Sequence, residues 1–291
     1  MRSMKTLMLN RAECNQLLSL QELFPLIRSV LKTASAHLME RTDDLAFTLP
    51  TGRIPGIPAY SVNARSDQGP DTSMLQLFRA SDHQLLAIMP AVHVTELSLM
   101  AFAAFGTDIL ASHEAKTVGI IGWNESTEKI ASALLFLRPY DHLLVYPGDA
   151  QSPKIEHNRH AHPTFEAVHN VDTILSEADI LLVSQSATQW LKHAIFWRPG
   201  LHITVVGEKL QALPRAFRQP VRFWSEQLHQ VTGSDFQLHS CVAGIEPPKE
   251  RQSHITVFHA NSLPYLELAA AWQVYKKALY HGHGSWMDFV K

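Results

Sequence analysis

The sequence predicts an α/β protein whose doubly wound parallel sheet is joined to an α+β domain. Three observations carry the prediction. Continuous apolar runs stand at Val118–Ile121, Leu143–Tyr146, Ile180–Ser184 and Ile203–Val206. Runs without polar alternation mark strands covered on both faces, and helices between them make right-handed parallel crossovers. The first run passes into Gly122-Trp-Asn-Glu-Ser-Thr127, a strand, a glycine and a helix start, the arrangement that cradles a dinucleotide pyrophosphate. Outside this stretch short strands and helices mix without a fixed rhythm. The central domain, 113–259, is therefore Rossmann-like, and 1–112 with 260–291 make an α+β part to which the C-terminal helix returns.

The elements follow in order. Asn10-Arg-Ala-Glu13 is an N-cap with its acidic partner three residues on, opening a short helix over Leu17 and Leu18. A longer helix is expected over Leu20–Leu38, with Leu23, Ile27, Val30 and Leu31 on one face. Three prolines and two glycines make Leu49–Tyr60 a loop or edge segment. Strands at Met74–Phe78 and Leu85–Met89 flank the turn Ala80-Ser-Asp-His83, and Val94–Phe105 is a buried helix. In the central domain a helix stripes Ile130, Leu134 and Leu137 and ends at Pro139. Asp172 is expected to cap a helix through Ala178. After Val221–Trp224 the pattern loosens, Ile255–Phe258 is one more strand, and Pro264 opens a helix to about Tyr280. His281-Gly-His283 then reads as a frayed tail.

Composition bounds the function. The chain has 291 residues, 46% hydrophobic and 18% charged, enough for two domains with a proper core. A net charge of −2 without a Lys/Arg run argues against nucleic acid. Cys14 and Cys241 form no disulfide or metal pattern, the N-terminus lacks a secretory apolar core, and Leu97–Phe105 is too short to span a bilayer. The expectation is a soluble cytoplasmic protein without membrane contact. Gly-x-Ser-x-Gly, P-loop and Cys-x-x-Cys motifs are absent.

Spaced as Gly-x-Gly-x-x-Gly from Gly122, the second and third glycine positions fall on Asn124 and Thr127. A helix N-terminus offers free N–H groups to an anion, yet Asn124 or Ser126 can cap that end with the same groups. Glu125 and Glu128 favour the helix but repel a phosphate, by about 1–4 kcal/mol at an effective dielectric of roughly 20. Trp123 stands where a small residue is expected and narrows the crevice. Two readings stay open: a dinucleotide site over Gly122, Trp123, Asn124, Ser126 and Thr127, with Ser184 and Gly207 at later strand ends, or an empty, self-capped turn. Asp149 lies a little beyond the ribose position, and a turn residue beside Pro147 and Gly148 is the simpler reading. Glu208, after a glycine at a parallel strand's carboxyl end, is either a general acid/base or a loop carboxylate beside Lys209. His157, His160 and His162 have metal-ligand spacing, but no cysteine joins them and a surface loop is the simpler reading, so no metal is assigned. His259 faces the crevice or is structural.

Five segments in the right order resemble the ornithine cyclodeaminase/μ-crystallin family: Gly56-Ile-Pro-Ala-Tyr60, Ala115–Gly122, Leu175–Ser184, Arg198–Gly207, and Ile255–Phe258 followed by Leu266–Ala271. The resemblance implies a homodimer whose α+β domain builds the subunit interface and half the substrate site, around an NAD or NADP-binding centre. It implies a small amino-acid-like ligand and hydride movement at an amino-bearing carbon, in oxidation, imine reduction or deaminating cyclisation. Carried over by position, Glu208 is the catalytic acid if one residue is deleted, Arg65 stands in for the family's Lys, and Glu267 matches its closing-helix carboxylate. The family's phosphate turn is changed here, and its carboxylate-gripping Arg aligns with Leu97. A diverged enzyme and a catalytically silent binding or partner protein both follow from that pattern.

Overall fold

The computed structural model describes residues 5–36, 51–64, 73–147, 163–184, 187, 197–207, 221–224, 236–244 and 254–289. Arg65, Asp149, His157, His160, His162 and Glu208 lie outside the described residues. The chain divides into two compact units, residues 1–101 with 262–291 and residues 102–261.

The first unit begins with β1 (Lys5–Met8), α1 (Arg11–Leu17) and α2 (Leu20–Ala36). The capping box at α1 forms as read: the Asn10 side chain accepts from the Glu13 amide at 3.0 Å, and the Asn10 amide donates to Glu13 Oε2 at 2.8 Å. Leu23, Ile27, Val30 and Leu31 of α2 are buried, which is the expected stripe. Next come β2 (Thr51–Arg53), β3 (Ala59–Ala64), β4 (Met74–Arg79), β5 (Leu85–Pro90) and α3 (Ala91–Leu110). The proline-rich segment contributes β2, and β2 is an edge strand, where ladder groups on one side need no partner.

The second unit holds β6 (Thr117–Ile121), α4 (Glu125–Leu137), β7 (His142–Tyr146), β8 (Thr164–Ala167), α5 (Val171–Glu177), β9 (Ile180–Ser184), β10 (His202–Val206), β11 (Val221–Trp224), α6 (Leu238–Val242) and β12 (Ile255–Ala260). Its seven strands run in the order β11-β12-β10-β9-β6-β7-β8, and every neighbouring pair is parallel. All five residues of β9 and of β10 are buried, which is why β9 shows no polar alternation and why the polar residues of β10, His202 and Thr204, lie inside as well. One expectation fails here. Asn170, not Asp172, caps α5: its side chain accepts from the Asp172 amide at 2.9 Å, and Asp172 sits inside the first turn. Both residues are able caps two positions apart, and burial of Ile174 and Leu175 selects the register.

The chain closes with α7 (Pro264–His281) and β13 (Ser285–Asp288), which return to the first unit. Its sheet runs β13-β1-β5-β4-β3-β2, with β1 and β5 parallel and the other pairs antiparallel. The tail after α7 is not frayed. Gly282 adopts φ +72° as a left-handed cap, and the His283 amide donates to the Ala278 carbonyl at 3.0 Å. The Gly284 amide donates to Glu13 Oε1 at 2.8 Å, and β13 pairs with β1. The Lys277 ammonium meets the Glu22 carboxylate, holding its pKa below the ordinary value chiefly through that hydrogen bond.

Candidate functional site

In the second unit the strand order reverses between β6 and β9. From β6 the chain proceeds outward through β7 and β8, then returns to build β9, β10 and β12 on the other side. The carboxyl ends of β6 and β9 therefore flank a topological switch point, the place where open α/β sheets take ligands.

Gly122 leaves β6 at φ +82°, and its amide donates to the Tyr146 carbonyl at 3.0 Å. A Cβ there would lie 2.5 Å from Ser184 Oγ and 2.5 Å from the Ala187 Cβ. Only glycine satisfies both the backbone angle and that approach. The next residue, Trp123, is half-buried and packs edge-on against Phe165, with ring centroids 6.0 Å apart.

Asn124 then caps α4. Its Oδ1 accepts from the Thr127 amide at 3.0 Å, while its own amide donates to Thr127 Oγ1 at 3.0 Å. The Thr127 hydroxyl is buried and turns back toward the Gly122 and Asn124 carbonyls, at 3.2 and 3.1 Å. Thr127 thus takes the part that Glu or Gln plays in other capping boxes. Two of the amides at the helix tip, those of Asn124 and Thr127, serve the polypeptide, whereas α4 itself supplies no acceptor for those of residues 125 and 126. Glu125 pairs with Lys129 along the exposed face. Gly122, Trp123, Asn124, Ser126 and Thr127 are contiguous at this turn, and Ser184 meets them from the end of β9.

At the far side of the switch point stand the ends of β10 and β12. Gly207 donates its amide to the Ala260 carbonyl at 3.1 Å and accepts from His259 Nε2 at 2.9 Å. His259 is 2% exposed, and burial pushes its pKa below the ordinary imidazole value, so the ring stays neutral at pH 7. Its Nδ1 and the Oδ1 of the neighbouring Asn261 are both buried without a hydrogen-bond partner.

Deeper in the sheet lies a buried relay that periodicity did not reveal. Thr107 donates to the Ala103 carbonyl at 2.6 Å, so the proton between Thr204 and Thr107, 2.7 Å apart, belongs to Thr204. His202 Nε2–H must then donate to Thr204 at 3.0 Å, and Nδ1 on the other side of the ring lies 2.7 Å from Thr256 Oγ1. The order of donors ties α3 to β10 and β12.

The first unit holds its own buried polar cluster. Glu267, 2% exposed in the first turn of α7, accepts from Asn63 Nδ2 at 3.0 Å. The same nitrogen lies 3.3 Å from Thr95 Oγ1. A carboxylate only accepts, which fixes the orientation of the Asn63 amide. Sequence reading missed Asn63, though a signal existed: alternation along β3 puts Ala59, Ser61 and Asn63 on the buried face. Among the described residues no cluster of His, Cys, Asp and Glu has metal-site geometry, and no helix is long and apolar enough to cross a membrane.

The sequence model of the ornithine cyclodeaminase/mu-crystallin family matches residues 5–282. A Delta(1)-pyrroline-2-carboxylate reductase of Bacillus cereus is 24% identical over 233 residues, covering 70% of each chain. Among solved structures, an archaeal alanine dehydrogenase dimer with bound NAD superposes with a TM-score of 0.76 at 18% identity, covering 98% of this chain and 99% of that one. The Thermococcus litoralis Delta(1)-pyrroline-2-carboxylate reductase, in complex with NADH and L-proline, superposes with a TM-score of 0.71 at 18% identity, over 96% and 99% of the two chains. These likenesses establish the α/β fold with its Rossmann-like domain.

Proposed function

The chain belongs to the ornithine cyclodeaminase/mu-crystallin family, and on that premise we propose that it is an NAD(P)-linked oxidoreductase or cyclodeaminase acting on a small amino acid or cyclic imine. The observation that carries this reading is the turn at the switch point. Gly122 keeps a positive φ and a side-chain-free approach to Ser184 and Ala187, directly before a helix N-terminus. These residues fit a dinucleotide: Gly122, Trp123, Asn124, Ser126 and Thr127 line the diphosphate turn, with Ser184 and Gly207 at neighbouring strand ends. A bound nicotinamide supplies a hydride acceptor or donor for the amino-bearing carbon. Glu208 is assigned the proton exchanged with the substrate nitrogen, and Arg65 and Glu267 the recognition of substrate polar groups. A homodimer is part of the same proposal, supported by Trp286, Met287 and Phe289, which expose large apolar surface on and just after β13.

A second reading, a silent binding or partner protein, is favoured by one specific observation: the Asn124–Thr127 capping box occupies an amide that a diphosphate would use. One set of measurements separates the two. Purified protein is titrated with NADH and NADPH by tryptophan fluorescence and thermal shift, then supplied with 1-pyrroline-2-carboxylate while absorbance of the reduced cofactor is followed. Saturable binding with turnover supports the enzyme. No binding at millimolar concentrations of either cofactor leaves the silent protein.

A further inference from the structure

We propose that His259 and Asn261 form a pair of hydrogen-bond acceptors that reads the primary carboxamide of a nicotinamide ring, a specificity role that rests on the cofactor reading above. In a doubly wound sheet built from two mononucleotide-binding halves, the diphosphate crosses at the switch point and the two nucleosides lie over opposite halves. With the diphosphate at the turn after β6 and the adenosine half over β7, the nicotinamide falls at the carboxyl ends of β9, β10 and β12. That is where these two residues stand.

His259 is the penultimate residue of β12, and Asn261 follows the strand directly, two positions on and so in phase with it. They are 2% and 3% exposed. The contact from His259 Nε2 to the Gly207 carbonyl, at 2.9 Å, fixes the tautomer, because a carbonyl only accepts. The neutral ring therefore presents Nδ1 as a lone-pair acceptor. Neither Nδ1 nor Asn261 Oδ1 has a hydrogen-bond partner. Buried acceptors are nearly always paired, and two neighbouring exceptions at the ligand-binding edge of a sheet point to a ligand rich in donors. Phosphates, carboxylates and ketones bring only acceptors and fail there. A primary carboxamide brings an NH2 group with two N–H donors, one for each orphan.

The 3-acetylpyridine analogue of NADH replaces that NH2 by a methyl group and leaves the rest of the dinucleotide intact, so binding of the two forms isolates the proposed contacts. Dissociation constants are measured for both dinucleotides with the wild-type chain, His259→Phe and Asn261→Leu. The wild type is expected to prefer the carboxamide form by about ten- to a hundredfold, the preference shrinking in each variant. Equal affinities in the wild type would overturn the inference and leave the cofactor reading standing. Binding of neither form would remove both. Full preference surviving in both variants would place the discrimination elsewhere and also overturn the inference. Should a variant fail to fold, the wild-type ratio still decides, and His259→Gln, which keeps an acceptor, is expected to retain part of it.

Discussion

Replacing Asn124 by glycine tests what the cap does to a ligand. The Asn124 Oδ1 holds the Thr127 amide at 3.0 Å, and the Thr127 hydroxyl holds the Asn124 amide at the same distance. Truncating an N-cap Asn to Ala costs about 0.5–2 kcal/mol, whereas glycine, able to take the extended cap conformation, costs only about a few tenths. Asn124→Gly therefore removes the competitor for that amide while sparing the fold. A hydrogen bond from an amide to a charged oxygen contributes about 1.5–3 kcal/mol, so handing it to a diphosphate should tighten NADH or NADPH binding roughly ten- to a hundredfold. Urea unfolding of the free protein should change little. Titration is followed by tryptophan fluorescence, with Trp123→Phe in the same background as control for the neighbouring reporter. Affinity unchanged within about twofold, or weakened, would refute the argument that cap and ligand compete for one donor.

Gly122→Ala should destabilise by about 2–5 kcal/mol in urea unfolding, from the left-handed backbone plus overpacking against Ser184 and Ala187; a loss below about 0.5 kcal/mol would contradict the geometry. Thr204→Val keeps the side-chain shape but strands the His202 Nε2–H, and should lower stability by about 1–3 kcal/mol. Because burial holds His259 below its unfolded pKa, the native state binds fewer protons, so its contribution is full above about pH 6.5 and is lost as pH falls toward the folded value. His259→Gln should flatten the pH dependence of the melting temperature below about pH 6.5, and an unchanged slope would assign it to other groups.

Much of the fold was legible because its causes are local. Apolar runs mark β6, β7, β9 and β10 since those strands are covered on both faces, and Asn10 with Glu13 announces α1 within four residues. Four-residue elements such as β1 and β13 were not legible. The residues of β1 and β13 become strands by pairing with each other, across more than 270 positions of chain, and no periodicity within four residues expresses that. The candidate site divides in the same way. The cap at Asn124 could be read from its own neighbourhood, while Asn63 needed Glu267, 204 residues away, to become a buried donor.

By itself the sequence determined the longer helices and the apolar strands, the parallel character of the central sheet, and the turn where a helix tip meets a glycine. Only the tertiary structure decided which strands are neighbours, and hence that Gly122 faces Ser184, that Thr107 meets Thr204, and that His259 holds Gly207. The physical reason is the range of the forces. Backbone dihedrals and caps are settled within a turn or two, but the partner of a buried polar atom depends on strand order and register, which many distant residues fix together.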